Sequence, residues 1–206
     1  MTIENAELAL KYAHRDVGLL AEVIRLCPNR GTCVQAGGGM GVYPAALSAA
    51  FGNVYTFEPD AEQFAELCRN APQLNVHKFQ AAVGFYRGLV SISRDRREGS
   101  GPRHPGLAHV VRSVSRGSVP VLRIDDLQLP ECGLIALDVE GMELEALDGA
   151  VSTIVRCRPA LLIEMNKNTR DHAQVRRTIE ELCQVRHSGR YGSDDFFLPA
   201  EVAHAG

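Results

Sequence analysis

The sequence predicts an α/β domain built in three layers, α/β/α, with an antiparallel hairpin closing its sheet. Three observations predict it. Short apolar runs alternate with amphipathic segments from residue 32 onward. Most of those runs stop at a glycine or an acid: Thr32 to Ala36 at Gly37, Asn53 to Phe57 at Glu58, Gly133 to Leu137 at Asp138, Pro159 to Ile163 at Glu164. Finally, Val185 to Tyr191 and Asp195 to Leu198 flank Gly192-Ser-Asp194, a turn suited to a hairpin.

Size and composition set the frame. With 206 residues, 45% of them hydrophobic, one well-buried domain is expected. A net charge of -3 gives no global attraction to nucleic acid or to an anionic membrane. Cysteines 27, 33, 68, 132, 157 and 183 are scattered and form no Cys-x-x-Cys pair, so buried free thiols in a reducing compartment are expected. Met1 to Asp16 is too charged for a signal peptide, and no run approaches membrane-spanning length, so the expectation is a cytoplasmic protein.

Residues 1–30 read as a helical lead-in stopped by Pro28-Asn-Arg-Gly31, and 31–206 as the domain proper. Thr32 to Ala36 is the first buried strand, and the apolar run Val42 to Phe51 is a buried helix. Asp60 suits the N-cap of a helix presenting Ala61, Phe64, Leu67 and Cys68 inward and ending at Asn70-Ala-Pro72. Asn75 to Ala82 is a third strand, with Val83-Gly84 turning out of its carboxyl end. From 85 to 118 the pattern dissolves into Gly, Ser, Pro and Arg, with one short strand at Leu89 to Ile92. Arg87, Arg94, Arg96, Arg97, Arg103, Arg112 and Arg116 make this stretch a solvated loop or, in its functional reading, a lid and substrate insertion. Val119 to Ile124 returns as a strand. Leu144, Leu147, Val151 and Ile154 lie at the spacing of one helix, and Val175, Ile179, Leu182 and Cys183 at that of another capped by Thr169.

The chemistry concentrates between Gln35 and Asp60. Gln35-Ala-Gly-Gly-Gly-Met-Gly41 is a strand-to-helix turn in which glycines 37, 39 and 41 let backbone approach a ligand. Glu58, roughly 20 residues on at the next strand's end, is placed to accept hydrogen bonds from a ribose diol. A dinucleotide fingerprint wants a third glycine where Val42 stands, so NAD does not fit. A turn that need not wrap a pyrophosphate suits S-adenosylmethionine instead. Candidate cofactor-binding residues are Gln35, Ala36, Gly37, Gly39, Gly41, Glu58, Pro59, Ala82, Val83 and Asp138, with Ala82 and Val83 flanking the adenine. The competing reading is a glycine turn with no ligand.

Four blocks in this order resemble the FkbM-type family of S-adenosylmethionine-dependent methyltransferases. They are Val34-Gln-Ala-Gly-Gly-Gly-Met-Gly-Val-Tyr43, Phe57-Glu-Pro59, Ala81-Ala-Val-Gly84, and Leu137-Asp-Val-Glu-Gly-Met-Glu143 with Gly149-Ala150 and Pro159 to Glu164 behind it. The resemblance covers about Cys33 to Pro199. It implies a Rossmann-like seven-stranded methyltransferase sheet and methyl transfer mostly to hydroxyl oxygen, often on sugars or secondary metabolites. It also implies an acid where Gln35 stands, one that helps hold the cofactor's ammonium end. Gln35 brings no charge, so the expectation is either weaker cofactor affinity or compensation by Asp138.

For catalysis the expected residues are Asp138, Glu140 and Glu164, at or just beyond strand ends on the ligand edge of the sheet. Asp138 is expected to contact the methionine portion, and Glu164 or Glu140 to act as base or orient the acceptor. Glu143 is expected only to charge the first turn of its helix. No metal site is favoured. A second resemblance, to cation-dependent catechol-type methyltransferases, would use Asp138, Glu164 and Asn166 to hold magnesium. The expected partner is a small hydroxylated acceptor. The rival readings are a non-catalytic nucleoside-binding module of the same fold and an enzyme acting on RNA or another polyanion.

Overall fold

The computed structural model of the protein describes residues 20–93, 109–111, 117–165 and 172–200. Helical residues 20–26 (α1) lead into β1 (Thr32–Ala36), α2 (Val42–Ser48), β2 (Asn53–Phe57), α3 (Ala61–Asn70) and β3 (Val76–Phe79). Four short strands follow: β4 (Ala82–Val83), β5 (Gly88–Ser93), β6 (His109–Val111) and β7 (Val119–Leu122). After a 3-10 turn at Ile124–Leu127 come β8 (Leu134–Leu137), α4 (Glu143–Asp148), α5 (Val151–Cys157), β9 (Ala160–Glu164), α6 (His172–Cys183), β10 (Val185–Tyr191) and β11 (Asp194–Pro199).

The main sheet has seven strands in the order β10-β11-β9-β8-β1-β2-β3. Neighbours from β9 to β3 run parallel, while β11 is antiparallel to both β9 and β10. This is the expected Rossmann-like α/β sheet with its closing hairpin. The chain builds outward from β1 to β3 and then returns to place β8 on the other side of β1. A crevice therefore opens between the carboxyl ends of β1 and β8.

Strand side chains alternate between two cores, one on each face. Cys33, Leu134, Ala136, Ala160, Leu162 and Phe196 face one core, together with Leu20 and Val23 of α1, Leu47 of α2 and Leu67 of α3. Val34, Ala36, Ile135, Leu137, Leu161, Ile163 and Phe197 face the other, against Ala146 and Leu147 of α4, Ile154 of α5 and Val175, Ile179 and Cys183 of α6. Burial on both faces is why these strands are continuous apolar runs in the sequence.

Several expectations change. The strand expected over 75–82 ends at Phe79, and Ala82–Val83 joins a second sheet of order β4-β7-β5-β6. There Ala82 and Val83 lie parallel to Val121 and Leu122. Much of the described part of 85–118 is therefore sheet rather than loop. Its small core is Ala82, Val90, Val119 and Val121. Arg87 pairs with Asp126 through two hydrogen bonds, while Arg94, Arg96, Arg97, Arg103, Arg112 and Arg116 lie outside the described residues, as do the segment 1–19 and Thr169.

The single helix expected across 144–154 is two. Gly149 separates them because the chain there packs on the β4 exit, where a Cβ on Gly149 would meet the Gly84 carbonyl oxygen at 2.0 Å. Ala61, Cys68 and Leu182, expected to point inward, are exposed. All six cysteines are free thiols. Burial pushes those of Cys27, Cys132 and Cys183 up to about 12, which leaves them protonated and unreactive. Among the described residues, no helix is long and apolar enough to cross a membrane.

Asp125 ties the second sheet's exit to α5. Its carboxylate accepts from Thr153 N and Thr153 Oγ1, both at 2.8 Å, and from Ser152 N at 3.1 Å. Asp125→Ala is expected to lower unfolding free energy by about 1–2 kcal/mol, as removal of a helix cap does. Chemical denaturation reads this directly, and an unchanged midpoint would mean the cap is not formed in solution.

Candidate cofactor cleft

β1 leaves the sheet at Ala36, and the next residues turn sharply, with Gly37, Gly39 and Gly41 at φ 88, 50 and 91°. Gly37 is needed for space as well as for φ, since a Cβ there would lie 1.9 Å from the Asp138 carbonyl oxygen. The turn's amides are already used internally. Gly37 N and Gly38 N both donate to Phe57 O at 2.9 Å, Gly41 N donates to Gly38 O at 2.9 Å, and Gly39 N donates to Glu58 Oε2 at 2.8 Å. With those donors engaged, the turn does not offer the cradle of N–H groups that a phosphate requires.

Glu58 stands at the end of β2, only 5% exposed. Oε2 takes the Gly39 amide and Oε1 the Asp60 amide at 2.8 Å. Burial raises its pKa, and these two N–H donors pull it part of the way back. Each oxygen retains a lone pair, so the carboxylate can brace the turn and still accept from a diol. Asp60 in turn caps α3, accepting from Glu62 N and Gln63 N at 2.9 and 3.1 Å, as expected of it.

Across the crevice, β8 runs into Asp138, Val139 and Glu140, with Glu140 at φ 52° and Gly141 at φ 100°. Glu143 folds its carboxylate back onto Gly141 N at 2.9 Å and is nearly buried, the structural part expected of it. Carboxylate oxygens of Asp138, Glu140 and Glu164 lie within 4.8 Å of one another. Asp138 is exposed to the cleft, yet crowding by the surrounding protein, then the charge and hydrogen bond of Glu164, then Glu140 and Asp194, raise its carboxyl above the usual range. Such a group of acids favours a cation and repels a phosphate. Asn166, the third ligand of the magnesium reading, lies outside the described residues.

One cleft brings most of the expected residues together. Ala36, Gly37, Gly39, Glu58, Pro59, Ala82, Val83, Asp138 and Glu140 all line it. Gln35, Gly41 and Glu164 are not among the lining residues. Gln35 is 3% exposed and hydrogen-bonded within the protein, and Gly41 packs α2 on α3, where a Cβ would meet Leu67 Cα at 3.1 Å. Glu164 is hydrogen-bonded to Asp138 within the acidic group. Phe57, Gln63, Ala81, Val139 and Met142 also line the cleft and were not expected there. Most sit one residue from an expected position. Gln63 is signalled only by its place in the first turn after the Asp60 cap.

The donor set fits S-adenosylmethionine: apolar walls for a base, Glu58 for ribose hydroxyls, and acids for a cationic tail without phosphate. A family profile described as Methyltransferase FkbM domain matches residues 41–185. The chain belongs to the FkbM methyltransferase family. Glu58, Asp138 and Glu164 lie inside the FkbM match, whereas Gln35, Gly37 and Gly39 precede it.

Among solved structures, methyltransferase FkbM from Methylobacillus flagellatus KT superposes with a TM-score of 0.55 at 21% identity, over 81% of this chain and 43% of that one. The chain thus spans less than half the length of that relative, and the likeness is one of fold. Magnesium protoporphyrin IX methyltransferase from Synechocystis PCC 6803 with bound SAH matches at 12% identity and TM-score 0.47, over 92% and 82% of the two chains. An amino pentose methyltransferase from Micromonospora echinaspora matches at 14% and 0.41, over 80% and 57%. No curated protein matches the chain by sequence.

Proposed function

We propose that the chain is an S-adenosylmethionine-dependent methyltransferase that methylates a hydroxyl on a sugar or other small metabolite. The observation that carries the cofactor is a cleft whose glycine amides are engaged internally while acids line it. That combination favours a cationic nucleoside over a nucleotide. Membership of the FkbM family supports the reaction class.

Bound in the cleft, S-adenosylmethionine supplies an electrophilic methyl group on a sulfonium. In this reading Glu58 accepts from the ribose hydroxyls, and Phe57, Ala81, Ala82, Val83 and Met142 enclose the base and keep water from it. Asp138 faces the charged methionine end. Glu164 or Glu140 takes the proton that the acceptor hydroxyl loses. The glycine turn positions the donor, and an acceptor held in line with it displaces S-adenosylhomocysteine from the methyl carbon.

Thermal unfolding with S-adenosylhomocysteine, NAD and ATP tests this most directly. S-adenosylhomocysteine at about a hundred times its Kd should stabilise the protein by about 2.7 kcal/mol, while NAD and ATP leave it unchanged. Stabilisation by ATP or NAD alone would overturn the cofactor assignment. Labelled methyl transfer to a panel of hydroxylated compounds, and to none of the matched amines, would establish the acceptor class.

A further inference from the structure

We infer that Gln35 and Thr56 are a positioning pair for the cofactor turn, acting through the Gly37 carbonyl and not by contact with the cofactor. The inference rests on the proposed S-adenosylmethionine reading. Gln35 and Thr56 face each other in the β1–β2 register. Gln35 Nε2 donates to Gly37 O at 2.7 Å, and Gln35 Oε1 accepts from Thr56 Oγ1 at 2.6 Å. The amide orientation follows from chemistry, because a carbonyl oxygen can only accept and so must face the nitrogen end. Gln35 is 3% exposed and Thr56 0%.

Gly37 is thereby held from both ends of its residue. Its N–H is taken by Phe57 O at 2.9 Å and its carbonyl by Gln35. This residue lines the cleft, packs on the Asp138 carbonyl, and sets the path of the chain to Gly39 and hence to Glu58. The pair therefore governs where the turn and Glu58 stand relative to the acidic group. Neither side chain lines the cleft itself.

A carboxylate in place of Gln35 separates this role from direct contact. If residue 35 touched a cofactor ammonium, Gln35→Glu would add an attractive charge and tighten binding. In the arrangement seen here it sets two acceptors against each other at the Gly37 carbonyl, buried from water. Ionised, it should loosen the turn. Protonated, it regains a donor and should restore the turn.

The test is calorimetric binding of S-adenosylhomocysteine to wild type, Gln35→Glu, Thr56→Val and Thr56→Ser. Gln35→Glu should bind roughly tenfold more weakly near pH 8 and recover towards wild type near pH 5.5. Thr56→Val should weaken binding roughly threefold to tenfold, with Thr56→Ser restoring it. A loss of packing alone would not produce recovery on acidification or rescue by serine. Tighter or unchanged binding by Gln35→Glu overturns the inference, as does wild-type binding by Thr56→Val. Should Gln35→Glu fail to fold, the two Thr56 variants decide. Absence of binding by wild type itself would instead overturn the cofactor reading on which the inference rests.

Discussion

Gly37→Ala is expected to reduce S-adenosylhomocysteine affinity by about a hundredfold or more, equivalent to roughly 2.7 kcal/mol. Two costs combine. A residue with a Cβ at φ 88° is strained by about 1–2 kcal/mol. The new methyl would also stand 1.9 Å from Asp138 O and 2.9 Å from Asp138 C, which are backbone and cannot swing aside. Relief requires the carboxyl ends of β1 and β8 to part, although Asp138 N donates to Ala36 O at 3.0 Å there. Those ends are the two sides of the crevice, so stability and binding fall together. Gly141→Ala provides the control, because Gly141 shares the positive φ (100°) but a Cβ there meets nothing within 4 Å. Its expected cost is about 1–2 kcal/mol of stability, the strain contribution alone. Equal behaviour of the two variants in binding calorimetry and thermal unfolding would refute the close-approach argument.

Which parts of the fold can be read from sequence depends on what buries them. β1, β8 and β9 are covered on both faces, so each is an unbroken apolar run, and each run stops where the chain must turn out of the sheet. The hairpin is legible for a different reason: Gly192, at φ 64°, stands in the turn that joins β10 to β11. The second sheet is not legible. β4 has two residues and β6 three, and β5 exposes Leu89 while burying Val90, so no run is long enough to separate strand from loop. The break at Gly149 is tertiary in origin, since its cause is the Gly84 carbonyl 65 positions earlier in the chain. Helical spacing carries no trace of such a contact.

The site divides in the same way. Residues that follow strand ends, such as Glu58, Pro59 and Asp138, are fixed by the strand that precedes them, and sequence places them well. Gln63 and Met142 enter the cleft from the beginnings of helices, where the cap sets the direction of the first turn. Gln35 is the instructive case. Its position in the glycine block is that of a ligand contact, but strand alternation turns it to Thr56 across the β1–β2 register. Only the register reveals that partner.

Asp138→Asn is expected to weaken S-adenosylmethionine binding by about a hundredfold while making the ligand-free protein more stable at neutral pH. The two effects have one cause. Crowding by protein, with Glu164 and Glu140 alongside, raises the Asp138 pKa above its ordinary value although the residue faces solvent. A carboxyl whose folded pKa lies above its unfolded one contributes stability below the unfolded value and loses it as pH rises through the folded value. Asparagine cannot ionise, so its variant should escape that loss, and the difference from wild type should grow with pH. A cation reverses the preference, since it is attracted to the ionised form and drives the proton out. Wild-type affinity should therefore rise with pH until Asp138 ionises unaided, with proton release on binding below that point. Asp138 is exposed to solvent in the ligand-free cleft, so only the lower end of the roughly 2–5 kcal/mol cost of breaking a charge pair applies, from which the hundredfold figure follows. Calorimetry in buffers of different ionisation enthalpy measures the released proton, and thermal unfolding against pH measures the stability gain. A wild-type affinity flat in pH, matched by an unweakened Asp138→Asn, would mean that the cationic end of the cofactor lies away from the acidic group.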